Sequence, residues 1–375
     1  MRFGFFDQLP CADSQSERQR YEDILAQIEL GDAIGFDTVW LGELHFGRRS
    51  SLLASPLMVL AAAAQRTKRI RLGTAVTLLP LHSPVKIAEE AATADILSGG
   101  RLELGVGRGT APIHYVGYNV PQEESRERFE EALDVMLKAW TEDRLTYSGK
   151  YFHAQDLAVV PKPLQRPYPP IRLAANSPDT FAIAGQLGLP IFASPLINPP
   201  AKLREFLGVH RQTLKSGVKQ DVALMFSVHV SDSREQARRE CEASLKNFFQ
   251  AAGERLKPLG ETTVKSYEAF HDAVKKLERA TYESVDRMSV FGDPDYCVER
   301  VRALREEFQM DEFKKHNHTT DGLFEQRGWG GTNQGEKYKS LVHWGNGSAK
   351  ATDLEGHVNE TRPKNIALYI YIKIN

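Results

Sequence analysis

Glu43 and His45 stand two residues apart in the run Phe36-Asp37-Thr38-Val39-Trp40-Leu41-Gly42-Glu43-Leu44-His45-Phe46. A carboxylate beside an imidazole can act as an acid–base pair, because an unperturbed histidine pKa of about 6.5 makes both protonation states available. His45 could equally be structural, bonding a backbone carbonyl, and the run alone leaves both readings open. A second set of candidates lies in Arg101-Leu102-Glu103-Leu104-Gly105-Val106-Gly107-Arg108-Gly109-Thr110, where glycines flank a guanidinium suited to a phosphate group. Thr110 takes the place of the last glycine of a dinucleotide fingerprint, and no second acidic strand follows, which excludes a Rossmann site. Ser125-Arg126 adds a cation at a helix start. In Ala174-Ala175-Asn176-Ser177-Pro178-Asp179-Thr180, the hydroxyls of Ser177 and Thr180 can cap a helix or meet a phosphate. The strand Ile70–Pro80 carries small residues around Ala75, which admit a flat ligand or simply pack a barrel.

These residues need elements that bring them to one place. Short apolar runs alternate with segments of helical period, the pattern of βα units around a parallel sheet. Strands are expected near Arg2–Phe6, Thr38–Leu41, Ile70–Leu78, Leu102–Val106, Ile171–Ala174, Ile191–Ala193 and Ala223–Val230. Helices are expected where Val85, Ala88, Ala92 and Ile96, then Phe129, Leu133, Met136 and Trp140, repeat at three or four residues. Asp293-Pro294 caps a further one. The candidates fall at the C-terminal ends of strands, where a parallel α/β barrel builds its active site.

The 375 residues carry a formal net charge of −1, so no field gathers nucleic acid or anionic lipid. The longest apolar run, Leu57–Ala64, is too short to span a bilayer, and Met1–Phe6 reads as a strand rather than a signal peptide. Cys11, Cys241 and Cys297 are scattered, which predicts a cytoplasmic protein with no disulfide frame. No metal site is expected, and His316 and His318 lack further ligands at useful spacing. The helix beginning Pro56-Leu57-Met58 is apolar all round; this predicts a homodimer through helix 56–66, with a covering loop of the same chain as the alternative. Gly253–Phe291 is a charged insertion, either a lid over the barrel mouth or a solvated excursion. After Phe313 an eighth strand is due. Residues 314–375 show no sustained period, so the eighth βα unit is expected to be incomplete or altered, leaving edges of strands one and seven open.

The segments FDTVWLGELHF, GTAVTLLPLHSPVKIAEE, GGRLELGVGRG, AANSPDT, GLPIFASPLIN and FGDPDYCVERV occur in order within residues 1–313. With the helix opening at Ser125-Arg126, they resemble the bacterial luciferase-like, flavin-dependent monooxygenases. The resemblance implies a (β/α)8 TIM-type barrel that binds reduced FMN, reacts it with O2 at the flavin C4a position (a C4a-peroxyflavin) and oxygenates a small organic substrate. Position by position, it implies Arg108, Arg126, Ser177 and Thr180 as phosphate binders. It places Ala75-Val76, often a non-proline cis peptide, against the isoalloxazine ring. Gly107 stands where luciferases carry a thiol, Asn176 where they carry an acidic residue, and Leu44 where they carry the first of two adjacent histidines. Light-emitting aldehyde oxidation is therefore not expected, whereas oxygenation in general tolerates Leu44. The resemblance also implies a separate flavin reductase. An F420-dependent oxidoreductase and a non-catalytic flavin-binding or partner subunit are the alternatives.

Overall fold

The computed structural model describes residues 2–256 and 279–308, together with the backbone of 368–374. Most of the charged insertion (257–278), residues 314–367 and the pair His316/His318 lie outside the described residues. Ten strands form one sheet. Its parallel members are β1 (Arg2–Asp7), β2 (Thr38–Leu41), β3 (Arg71–Thr74), β4 (Thr77–Leu78) and β5 (Leu102–Gly107). A separate antiparallel hairpin, β6 (Leu145–Ser148) and β7 (His153–Leu157), follows. The sheet continues with β8 (Ile171–Ala174), β9 (Ile191–Ala193), β10 (Val222–Val230) and β11 (Ser289–Gly292), and β12 (Leu368–Ile374) completes it. A parallel pairing of β9 with β10 closes the circuit.

The eighth place in that circuit is altered. β12 runs antiparallel between β1 and β10, pairing Gly4 with Tyr371 and Phe226 with Ile370. The edges of strands one and seven, expected to be open, are thus both paired. The eighth parallel strand is β11, which precedes Phe313 instead of following it and pairs with β10 from Ser227 to Val230. Helix Pro294–Glu307 follows β11, capped by Asp293 as its sequence predicts, with the carboxylate accepting from the Tyr296 N–H at 2.9 Å.

The outer layer contains α1 (Glu17–Ile34), α2 (Pro56–Ala64), α3 (Pro84–Leu97), α5 (Ser125–Thr141), α6 (Pro178–Leu187), α7 (Pro200–Thr213) and α8 (Arg234–Leu256), with short α4 (Pro112–Gly117) in a loop. Their apolar faces and the outward faces of the strands share one core that includes Ile24, Ile28, Leu60, Leu104, Phe129 and Phe226. α1 starts at Ser16, whose hydroxyl accepts from the Gln19 N–H, and stops at Gly35, which takes φ 98° where a side chain would be strained. A buried ion pair ties α1 to β1: Arg20 Nη2 lies 2.7 and 2.8 Å from the two oxygens of Asp7.

Inside the barrel, glycines make room for rings. Trp40 lies opposite Gly73 in the β2–β3 register, and a Cβ on Gly73 would sit 2.1 Å from the indole. Trp40 and Phe192 meet edge to face at 4.8 Å, and the Arg172 guanidinium lies 5.4 Å from the Phe192 ring. This plug fills the interior below the strand ends, so ligand space has to lie above it. A cavity of about 270 Å³ at the opposite, N-terminal end is lined by Arg2 and by two ion pairs, Arg71 with Glu103 at 2.5 Å and Arg172 with Asp221 at 2.9 Å. That face reads as stability.

Candidate active site

β2 delivers Glu43 to the barrel mouth, where its N–H donates to the Val76 carbonyl at 3.4 Å. Glu43 is buried, and its Oε2 accepts from the Leu78 N–H at 2.9 Å. Its Oε1 accepts twice, from His45 Nε2 at 2.8 Å and from His82 Nε2 at 2.6 Å. Burial alone would raise the Glu43 pKa, but these hydrogen bonds hold it below the ordinary carboxylate range. Burial likewise works against the charge on His82, yet the Glu43 carboxylate holds its pKa above the usual histidine value.

Glu43 is therefore an anion that can only accept, which places the Nε2 proton on His45. The other ring nitrogen, Nδ1, lies 3.1 Å from the Tyr118 hydroxyl. The backbone N–H of His45 donates to His114 Nε2 at 3.2 Å. Burial and the neighbouring His45 push the His114 pKa down to about 4, so its ring stays neutral and keeps that lone pair. Glu43, His45 and His82 hold their ligand atoms within 4.8 Å of one another. Zinc-type bonds of about 2.0–2.1 Å at a tetrahedral angle would space those atoms by roughly 3.3 Å. The 2.6 and 2.8 Å separations are hydrogen bonds.

The other sequence candidates lie at the same barrel end. Ala75-Val76 is a cis peptide bond between β3 and β4. Gly107, the last residue of β5, faces it: a Cβ there would sit 2.6 Å from Val76 Cγ2. Arg108 follows, its carbonyl accepting from the buried Tyr115 hydroxyl. Arg126, in the first turn of α5, reaches the start of α6, with Nη2 3.5 Å from Asp179 Oδ2. The Ser177 and Thr180 hydroxyls bond each other at 3.0 Å, and Ser177 makes no side-chain cap. The capping reading of that pair therefore fails. The Asn176 carbonyl accepts from Asn198 Nδ2 at 3.3 Å.

Three residues of the cluster escape the sequence reading. His82 reads as a helix-start residue, and its position just before Ser83-Pro84 gives no hint of Glu43. His114 lies in α4, a helix of six residues with no readable period, and Tyr118 is the residue that follows its last turn. The only available signal is a density of aromatic and imidazole side chains: His114, Tyr115 and Tyr118 within five residues.

A family model described as luciferase-like monooxygenase matches residues 1–311. The chain belongs to that family. Relatives named as monooxygenases support an oxidoreductase that acts with O2, and the altered end of the barrel, β12, falls beyond the match. An uncharacterized protein, y4vJ of Sinorhizobium fredii, is 35% identical over 61% of this chain and 63% of its own length. The oxygenase component of the flavin-dependent trigonelline monooxygenase of Acinetobacter baylyi is 26% identical over 84% of this chain and 88% of its own. An F420-dependent glucose-6-phosphate dehydrogenase of Intrasporangium calvum is 30% identical over 72% and 81%. Among solved structures, the monooxygenase RslO1 of Streptomyces bottropensis superposes with a TM-score of 0.71 at 26% identity, covering 82% of this chain and 89% of that one. Among the described residues of the luciferase-like chain, no helix is long and apolar enough to cross a membrane.

Proposed function

We propose that this chain is an FMN-dependent monooxygenase that oxygenates a small organic substrate in the cytoplasm. The observation that carries the proposal is the shared location, at the strand ends, of a Gly107–Val76 floor and an Arg126, Ser177 and Thr180 donor set. Gly107 lets the Val76 side chain pack directly against β5, and the pair would present a floor for a flat ring. An arginine and two hydroxyls at a helix start suit a phosphate. Arg108, Arg126, Ser177 and Thr180 would hold the phosphate, with Asn176 beside them, and Ala75, Val76 and Gly107 would line the ring. Reduced FMN, when bound, supplies the electrons that activate O2 for transfer of one oxygen atom to the substrate.

The protein's own residues then have three tasks. Glu43 holds His45 in one orientation and one tautomer. His45, the proposed catalytic residue with Glu43, takes up or returns a proton through its ring at the barrel mouth. Phe46, Ile113 and Val116 leave apolar surface exposed beside the cluster and favour a non-polar substrate. A relative named as an oxygenase component supports delivery of reduced flavin by a separate reductase. The exposed Met58 on α2 and the exposed Ile96 and Leu97 on α3 support a homodimer through helix 56–66.

The F420-dependent relative favours a second reading, hydride transfer without O2. Anaerobic titration with reduced FMN and with reduced F420, followed by labelled O2 and a panel of non-polar substrates, separates the two. Tight FMN binding with one labelled oxygen atom in product is the expected result. Binding of F420 alone moves the chain to the second reading, and flavin binding without substrate-dependent O2 uptake makes it a non-catalytic subunit.

A further inference from the structure

The Glu43 carboxylate is shut away from water, and two chains of hydrogen-bonded atoms lead out from it, one directly through the half-buried His82 and one through His45 to Tyr118. We propose that Tyr118, His45 and Glu43 form a proton path, in which the partly exposed Tyr118 phenol connects solvent to the buried carboxylate through the two nitrogens of one imidazole. Its links are Tyr118 Oη to His45 Nδ1 at 3.1 Å and His45 Nε2 to Glu43 Oε1 at 2.8 Å. Glu43 is 4% exposed and His45 6%, whereas Tyr118 is 38% exposed, so the path has one wet end and one dry end. Its use in turnover rests on the monooxygenase reading; its existence does not.

The direction of each bond follows from its partners. An ionised Glu43 cannot donate, so His45 carries its proton on Nε2 and presents the Nδ1 lone pair to the phenol. A proton then moves without rotation of the ring. The Tyr118 O–H bond breaks as Nδ1–H forms, Nε2–H breaks as a Glu43 O–H forms, and the phenolate recovers a proton from water. The net change is one proton carried from solvent to Glu43, with no change of oxidation state. Burial and the Glu43 charge raise the Tyr118 pKa, which disfavours a standing phenolate.

The surroundings hold this geometry. The Phe46 ring lies 5.6 Å from that of His45 and 5.7 Å from that of Tyr118. Gly117, beside Tyr118, has no room for a Cβ because Phe46 Cε2 would be 2.2 Å away. His114 pins the His45 backbone and stays neutral. The other titratable groups facing the path are His82 on Glu43, with Glu90 acting on His82 and Arg255 on His114. Tyr118 is thus a positioning residue that acts through His45.

The test uses the full chain without flavin, labelled with 15N at histidine. In the native protein, the His45 ring shifts should report a proton on Nε2 and a hydrogen-bonded lone pair on Nδ1. The opposite tautomer would overturn the proposal whether or not any variant folds. In Tyr118→Phe, exchange of the His45 Nε2 proton with solvent should slow by about tenfold, since His45 Nδ1 then has no proton donor and only local opening and the His82 side of Glu43 remain. A loosened fold would speed exchange instead, so an unchanged or faster rate sinks the path. A slowed rate in a protein that oxygenates nothing would keep the path and remove only the monooxygenase reading.

Discussion

His114 accepts the backbone N–H of His45 at 3.2 Å, and this single bond makes a buried imidazole depend on staying neutral. The His114 pKa falls from 6.5 to about 4 in the folded chain. Between those values the unfolded chain binds a proton that the folded chain refuses, so stability drops as pH falls through that window. For one proton the slope is at most about 1.4 kcal/mol per pH unit. His82 runs the other way, since its raised pKa contributes stability that is complete below about 6.5 and is lost as pH rises through the folded value. Glu43, with a lowered pKa, contributes above about 4.5 and loses its share as pH falls through the folded value. His114→Gln keeps an acceptor for His45 without a titrating ring. Its melting temperature should therefore fall less steeply than the native one between pH 6.5 and 4.5; parallel melting curves would refute the assignment.

Arg108 follows the Gly107 floor at the end of β5. If it holds the FMN phosphate, Arg108→Ala should weaken FMN binding by about 1.5–3 kcal/mol, the size of a charge-assisted contact. Fluorescence titration with FMN and with riboflavin checks this. Only FMN should lose affinity, because riboflavin lacks the phosphate.

Asp179 places a carboxylate against the guanidinium of Arg126, 3.5 Å away and largely solvent-exposed. An exposed pair of this kind contributes little to stability. It does oppose an incoming anion, so Asp179→Asn should tighten FMN binding by roughly twofold to fivefold, within the range of an exposed ion pair. The same variant should leave riboflavin binding unchanged. Weaker FMN binding would show that Asp179 supports the start of α6 more than it repels the phosphate.

How much of this was legible in the sequence depends on whether the signal was local. Glu43 and His45 share one strand end with a clear apolar lead-in, so their pairing could be read directly. His82, His114 and Tyr118 join them across 39, 69 and 73 positions of chain, and their local patterns speak only of a helix start and a short turn. The hairpin β6–β7 went unseen because its second strand, His153–Leu157, is mostly exposed and lacks apolar alternation. β11 is four residues long and sits behind a charged stretch, which hid the eighth parallel strand and shifted its expected place beyond Phe313. Seven strands with flanking helical periods were readable because each buries apolar residues on both faces.

Met58 is 72% exposed on a helix whose other large side chains are buried. An isolated apolar residue on a surface needs no explanation, but here Ile96 and Leu97 extend the apolar surface on the neighbouring α3. Met58→Lys should convert a dimer to a monomer in light scattering at micromolar concentration, without lowering the helix content. A native protein that is already monomeric would defeat the proposed interface.

Gly73 and Trp40 give the sharpest prediction of stability. A methyl group at residue 73 would sit 2.1 Å from the indole, and the ring has no room to retreat, with Phe192 edge-on at 4.8 Å and the Arg172 guanidinium 6.0 Å away. Gly73→Ala should therefore cost about 1–3 kcal/mol or more, as over-packing of a filled core does. The cost comes from one clash, so it should be relieved when the partner shrinks. In a double-mutant cycle, Gly73→Ala with Trp40→Phe should be more stable than the sum of the two single changes implies, by about 0.5–3 kcal/mol. Strict additivity in denaturant melts would place the Trp40 ring elsewhere. Because Trp40 lies in β2 and Glu43 follows two residues after that strand ends, the single Gly73→Ala change should also disturb the His45 ring shifts, and the double variant should restore them.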